Sequence, residues 1–349
     1  MQPQTGTVEP ELEPLLVRRP LEAFLDEHGL GEGALEAEPI GEGHSNVTFE
    51  IRRGGQAWVL RRPPRGPLPP SAHDVLREYR LLAALEGAAV RTPRPLVACA
   101  DEHVIGAPFY VMELIAGDVI TSALPPALGV PQQRRRVAEE LIDALVELHA
   151  LDWRACGLDG FGKPSGYLER QLRRFGGLWE HNRTRELELV ERIGRWLAEH
   201  LPSSPPATIV HGDYRLGNTI FAPGAPARLA AIFDWELAAI GDPLADVGYL
   251  TATWAERGDP PAAVLDLSPV TREQGFPARA ELIARYEERS GRSVRDVRWY
   301  QTLALWKAAV FMEGNYKRSL AGATDDPFLE RFDRGVPELA ERAWTIASG

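Results

Sequence analysis

The residues whose types and spacing carry most chemistry lie between Ile209 and Leu250. An apolar pair, Ile209-Val210, runs into His211-Gly212-Asp213. Asn218 follows after four intervening residues, and Asp234 lies further on in Phe233-Asp234-Trp235. Between them, Ile220-Phe221, the turn-rich Pro223-Gly224-Ala225-Pro226 and the apolar run Leu229 to Phe233 read as a β-hairpin with a multi-residue loop. Strand pairing then brings Asn218, at the start of the hairpin, beside Asp234 at its end, with Asp213 one short loop away. Hard oxygen donors of this kind suit Mg²⁺, which binds through one or two carboxylates plus substrate phosphates. Asp213 is left to accept a proton from a hydroxyl nucleophile. A competing reading makes His211, Asp213 and Asp234 the ligands of a metallohydrolase, but no HExxH or comparable histidine cluster accompanies them.

The order His-x-Asp, Asn, hairpin, Asp resembles the catalytic and metal-binding loops of protein-kinase-like folds. Its HGD and DWE forms are similar to those of the aminoglycoside phosphotransferase and choline-kinase-like branch. The tracts Gly41–Asn46, Val59–Pro64, Arg77–Leu82, Pro108–Leu114 and His211–Asn218 resemble bacterial phosphotransferases related to the kinase-like domain fused to some acyl-CoA dehydrogenases. The resemblance covers roughly residues 20–345. It implies an α+β, bilobal protein-kinase-like fold: a small N-lobe with an antiparallel sheet and one main helix over 20–116, and a larger, mostly helical C-lobe over 117–349. It also implies ATP and Mg²⁺ as cofactors, with Asp213 as catalytic base and Asn218 and Asp234 as metal ligands.

The elements that would position these groups can be followed along the chain. Residues 1–19 read as a loose tail, and Leu21 to His28 as a short helix stopped by Gly29. Gly41-Glu42-Gly43-His44-Ser45-Asn46 precedes a period-two strand, Val47 to Ile51. The Gly54-Gly55 turn and a third strand, Trp58 to Arg61, follow. In the kinase-like family this Gly-rich bend covers the nucleotide phosphates, so Gly41, Gly43, Ser45 and Asn46 are cofactor-binding candidates. The family's strand lysine is replaced here by Arg61 or Arg62. Strand alternation turns Arg61 inward and leaves Arg62 solvated. Residues 72–86 read as a helix with Ser71 as its N-cap, and Glu78 on it is expected to pair with Arg61. After strands Pro95 to Ala100 and Pro108 to Leu114, the backbone at Glu113 and Leu114 is the expected adenine-binding hinge.

The rest reads as helices: a stripe of Val137, Leu141, Leu145 and Leu148, then Tyr167 to Asn182, then Arg183 to His200. His149 reads as a satisfied core histidine bracing the catalytic loop. Helix resumes at Leu244, soon after Gly241-Asp242-Pro243, which leaves no room for a peptide-gripping activation segment. Asp246 resembles the family carboxylate that ties down the catalytic loop, and Asp242 is a candidate helix cap. Helices are expected at about 277–290, 293–319 and 327–346. These helices are expected to build the acceptor pocket, and Trp254, Trp299, Tyr300 and Phe311 are candidates to line it, with core favoured for most.

Composition narrows the function classes. The chain has 349 residues, 44% of them hydrophobic, enough for two lobes. A net charge of −11 argues against a nucleic-acid surface. Cys99 and Cys156 form no metal-ligand spacing. Met1 to Pro14 lacks signal-peptide character, and Trp299 to Leu320 carries four charges, so the reading is cytoplasmic with no membrane partner. The expected activity is ATP- and Mg²⁺-dependent phosphorylation of a small-molecule hydroxyl acceptor. Arg170, Arg173, Lys307, Lys317 and Arg318 lean toward an anionic acceptor such as a hydroxyacyl-CoA thioester. The alternatives are an aminoglycoside phosphotransferase and a nucleotide-binding pseudokinase. No heptad or internal repeat speaks to oligomeric state.

Overall fold

Two patterns of burial organise the chain, a period-two strand region followed by long amphipathic helices. A computed structural model describes residues 15–41, 46–65, 73–260, 262, 264–322 and 327–349. Contacts divide the chain into two units: residues 1–87 with 92–115, and residues 88–91 with 116–349.

The first unit contains helix α1 (Arg18–Glu27), strands β1 (Glu36–Pro39), β2 (Val47–Arg53) and β3 (Gln56–Arg62), helix α2 (Val75–Leu85), and strands β4 (Pro95–Cys99) and β5 (Phe109–Glu113). The sheet is antiparallel with strand order β1-β2-β3-β5-β4. Alternation sends Phe49, Ile51, Trp58, Leu60, Phe109 and Val111 into one apolar cluster with Leu21 and Leu25 of α1. Leu16 joins this cluster and the helix begins at Arg18, inside the stretch expected to be a loose tail. Helix α2 is capped by Asp74, whose carboxylate accepts the Arg77 N–H at 2.9 Å. The expected cap, Ser71, lies outside the described residues.

The second unit contains β6 (Asp118–Val119), α3 (Pro131–Ala150), α4 (Tyr167–Asn182), α5 (Glu188–Glu199), β7 (Thr208–Val210), β8 (Thr219–Phe221), β9 (Leu229–Ile232), β10 (Ala239–Gly241), α6 (Leu244–Thr253), α7 (Arg279–Ser290), α8 (Val297–Leu320) and α9 (Phe332–Ser348). The stripe Val137, Leu141, Leu145 and Leu148 is fully buried on α3. Helix α8 is the central element, packed against α4, α5, α6 and α9. Three buried tryptophans satisfy their indole N–H groups on backbone carbonyls: Trp299 on Leu197, Trp306 on Val190 and Trp254 on Pro277. Trp254, Trp299 and Tyr300 are therefore core. Phe311, by contrast, is 61% exposed, because α8 turns that face outward.

Two small ribbons carry the chemistry-bearing loops. Strands β8 and β9 form the expected hairpin, with β6 on the outer side of β8. Strands β7 and β10 pair with each other. Between Asp234 and Leu244 there is room only for one 3-10 turn, Trp235–Leu237, and β10. The absence of a long segment there agrees with the reading of the sequence.

Candidate functional site

The loop after β7 is held by a carboxylate from another element. Asp246, in the first turn of α6 and fully buried, accepts the N–H of His211 at 2.7 Å and of Gly212 at 2.8 Å. It also accepts His149 Nε2 at 3.2 Å, while the Nδ1 of that ring pairs with the Tyr286 hydroxyl at 2.8 Å. Asp246 thus ties down the loop and His149 braces it, as the sequence led one to expect. A buried carboxylate is stable only with such donors around it. Asp242 caps α6 through the Leu244 N–H and accepts the Tyr300 hydroxyl at 2.7 Å. Burial raises its pKa, and those donors partly oppose the rise.

Gly212 is required twice over. Its φ is +87°, and an added Cβ would lie 2.7 Å from the Leu237 carbonyl oxygen. The His211 ring has no nitrogen left for a metal. Nε2 donates to the Phe233 carbonyl at 2.9 Å, and Nδ1 accepts the Asp213 N–H at 3.2 Å. A neutral ring with that tautomer satisfies both bonds. The ligand set of a metallohydrolase is therefore not available.

Asp213 and Asn218 are brought into direct contact. The Asn218 amide nitrogen donates to the Asp213 carboxylate at 2.7 Å and to its backbone carbonyl at 2.8 Å. This turns the Asn218 carbonyl oxygen into its remaining ligating atom. The Phe233 N–H donates to the Asn218 backbone oxygen at 3.1 Å, so the hairpin does bring its two ends together, with Asp234 the next residue. Asp234 has φ +66°, a left-handed backbone that is uncommon for a residue with a side chain and that Asp adopts more readily than most. Trp235 beneath it is buried, its indole N–H on the Ile232 carbonyl and its ring 4.7 Å from that of His211.

Two further residues reach Asp213 that the sequence gave no reason to choose. Arg215 Nε lies 3.6 Å from its carboxylate. The Tyr249 hydroxyl, on α6, is directed at it; burial first, and then the Asp213 charge, push the tyrosine pKa well up. Tyr249 lies one turn beyond Asp246 on the same helix, and this was the only available signal.

In the first unit, Arg61 meets Glu78: Nε lies 3.1 Å from the carboxylate, and both side chains are buried. Arg62 is not solvated. It is 3% exposed and donates to the backbone carbonyls of Leu15, Pro63 and Ile105. The reason is that both faces of β3 are covered, one by α2 and the other by the segment leading into α1. Asn46 is buried, and Gly41 has φ +83° with open space around it. Gly43 and Ser45 lie outside the described residues. At the expected hinge, the Glu113 N–H is taken by the Arg94 carbonyl at 2.9 Å, while Leu114 is half-exposed.

The cations expected beside an acceptor separate into groups. Arg170 folds back on the carbonyls of Lys163 and Ser165, and Lys317 donates to the His181 carbonyl. Lys307 is different. Desolvation and the nearby Arg174 pull its pKa down to about 8, against the opposing pull of Asp246 and Asp213. It is therefore close enough to the carboxylates of Asp246 and Asp213 to feel them.

Comparison with known proteins fits this geometry. The profile of the phosphotransferase enzyme family matches residues 36–303. Acyl-CoA dehydrogenase family member 11 of Gallus gallus is 35% identical over 90% of this chain and 41% of its own length. Family member 10 of Mus musculus is 33% identical over 94% of this chain and 30% of its length. The chain thus spans less than half of these relatives. A crystal structure of a candidate aminoglycoside phosphotransferase from Ralstonia eutropha superposes with a TM-score of 0.80 at 32% identity, covering 94% of this chain and 97% of that one. A choline kinase from Cryptosporidium parvum shares the fold, with a TM-score of 0.63 at 11% identity over 93% and 95% of the two chains. The fold is α+β and kinase-like. Among the described residues no helix is long and apolar enough to cross a membrane.

Proposed function

The chain belongs to the phosphotransferase enzyme family, and from that premise we propose that it transfers the γ-phosphoryl group of ATP to the hydroxyl of a small molecule, with Mg²⁺. The observation that carries the proposal is the contact between Asp213 and Asn218 at the open end of the hairpin, with Asp234 adjoining. The Asn218 carbonyl oxygen and the Asp234 carboxylate are hard donors suited to Mg²⁺, which takes its remaining ligands from water and phosphates. When bound there, the ion neutralises charge on the phosphates.

The chain's own residues do the rest. Asp213 orients the acceptor hydroxyl and takes its proton as the oxygen attacks phosphorus. Asn218, Tyr249 and Arg215 hold that carboxylate in place. Asp246 holds the loop so that little reorganisation accompanies transfer. Arg61, oriented by Glu78, is assigned to the nucleotide phosphates, and so, from the resemblance, are Gly41, Gly43, Ser45 and Asn46. Glu113 and Leu114 are assigned to the adenine edge, with Leu114 the better placed because the Glu113 N–H is already used.

The test is a phosphotransfer assay with MgATP and a panel of alcohols, read by ³¹P NMR. Asp213→Asn is expected to lower turnover by at least ~10³-fold while leaving MgATP affinity within about threefold. Unchanged turnover removes Asp213 as the base. MgATP binding without transfer to any alcohol favours the pseudokinase alternative, for which arginine at the strand position is the motive.

A further inference from the structure

The Phe175 ring on α4 carries two cations. Lys307 Nζ, from α8, lies 4.9 Å from its centroid, and Arg174 Cζ lies 5.8 Å from it. Trp306 packs at 6.4 Å. Among the described residues neither cation has a hydrogen-bond acceptor or an ion-pair partner. The sequence contains 50 acidic residues against 39 Lys and Arg, so carboxylates are plentiful, yet among the described residues none forms an ion pair with either cation.

The pair is tied to the reactive loop through packed elements. The Tyr167 ring at the start of α4 covers Gly241 so closely that an added Cβ would lie 2.4 Å from it. Asp242 and α6 follow directly, and Asp246 of that helix holds His211 and Gly212. Helix α8 crosses the same helix: Tyr300 bonds Asp242, Gln301 bonds Thr251, and Lys307 lies two turns further along. Two like charges on one ring, one of them half-buried, are unfavourable without an anion to share. A desolvated lysine such as Lys307, packed this close to the loop that carries Asp213, is a candidate ligand contact.

We propose that Lys307 and Arg174 form an anion-binding subsite for the acceptor, so that the alcohol whose hydroxyl meets Asp213 carries a carboxylate or a phosphate. The inference rests on the phosphotransfer reading above. Phe311, exposed and one turn beyond Lys307 on the same face of α8, offers apolar surface to the remainder of such a molecule. A polycationic acceptor would meet repulsion here.

Steady-state assays with 3-hydroxybutyrate (carboxylate), glycerol 2-phosphate (phosphate), glycerol (neutral) and choline (cation) distinguish the sources of the anion. Lys307→Met is expected to raise KM for the anionic probe that wild type accepts by about 10- to 100-fold, with kcat and the KM for MgATP nearly unchanged. Lys307→Arg restores most of the loss, which controls for folding. Transfer to choline or glycerol but to neither anion overturns the subsite. So does a fall in kcat for every acceptor at constant KM, which would put the cations on the transferred group. If no alcohol is phosphorylated, the phosphotransfer reading fails instead. Calorimetric titration of the two anions then decides the subsite: binding lost in Lys307→Met supports it, and equal or absent binding in wild type and variant overturns it.

Discussion

Within the larger unit, the loop around Asp213 and the α4–α8 face around Lys307 treat their polar groups in opposite ways. On the loop, Asp246 accepts three N–H groups, His211 uses both ring nitrogens, and Asn218 spends its amide nitrogen on Asp213. On the face, two cations share one aromatic ring without a carboxylate partner among the described residues. The first arrangement fixes atoms in advance of a reaction. The second leaves charge uncompensated until something binds. A fully satisfied network makes geometry robust, whereas an unsatisfied one makes affinity for an opposite charge. We infer that the loop carries the reaction and the face chooses the acceptor.

That contrast can be broken at several points. The largest effect is expected from Asp246→Asn, which presents an amide nitrogen where three buried donors need an acceptor. Stability should fall by about 3 kcal/mol and turnover by at least ~100-fold, read by urea unfolding and by the transfer assay. Near-wild-type stability would mean that the loop is held some other way. Gly212→Ala comes next. Its positive φ and the clash with the Leu237 carbonyl should cost about 2 kcal/mol. Turnover should fall more steeply than the KM for MgATP rises.

On the face, the same measurements should move little. Arg174→Gln is expected to change stability by no more than about 0.5 kcal/mol while weakening an anionic acceptor several-fold. A large loss of stability would show Arg174 to be structural, and the contrast would collapse. The smallest effect is a pH limb. Lys307 faces Arg174 on α4, Asp246 on α6 and Asp213 on the loop, and its pKa is lowered to about 8. Its cationic form holds the anion, so kcat/KM for an anionic acceptor should decline as pH rises through about 8. Lys307→Arg should not show this limb. Folding runs the other way: because the folded pKa lies below the unfolded one, stability contributed at this residue rises between about pH 8 and the ordinary lysine value.

Much of the frame was legible because it is written in local pattern. The hairpin followed from apolar runs around Pro223-Gly224, and the bounds of α4 and the start of α6 followed from periodicity. The pairing of Arg61 with Glu78 followed from strand alternation together with the family resemblance. The errors share one cause. Arg62 was expected in water because alternation says which side a residue faces, not what covers that side. For Phe311 the spacing left pocket or core open, and the packing of α8 turns it outward. Tyr249 and Lys307 were hard to single out because their proximity to Asp213 depends on how α6 and α8 pack.

The sequence by itself determined the elements, the reverse turn that joins Asn218 to Asp234, and the place of Asp213 in the short loop ahead of that hairpin. Those depend on neighbours within a few residues or across one hairpin, where spacing dictates geometry. Only the tertiary structure decided that Asp246 binds the loop backbone, that His211 has no nitrogen to spare, and that Lys307 and Arg174 meet on Phe175. These pairings join side chains from separate helices and loops. Their distances are set by which helix faces pack together, and that information is spread over the whole core and held by no single motif.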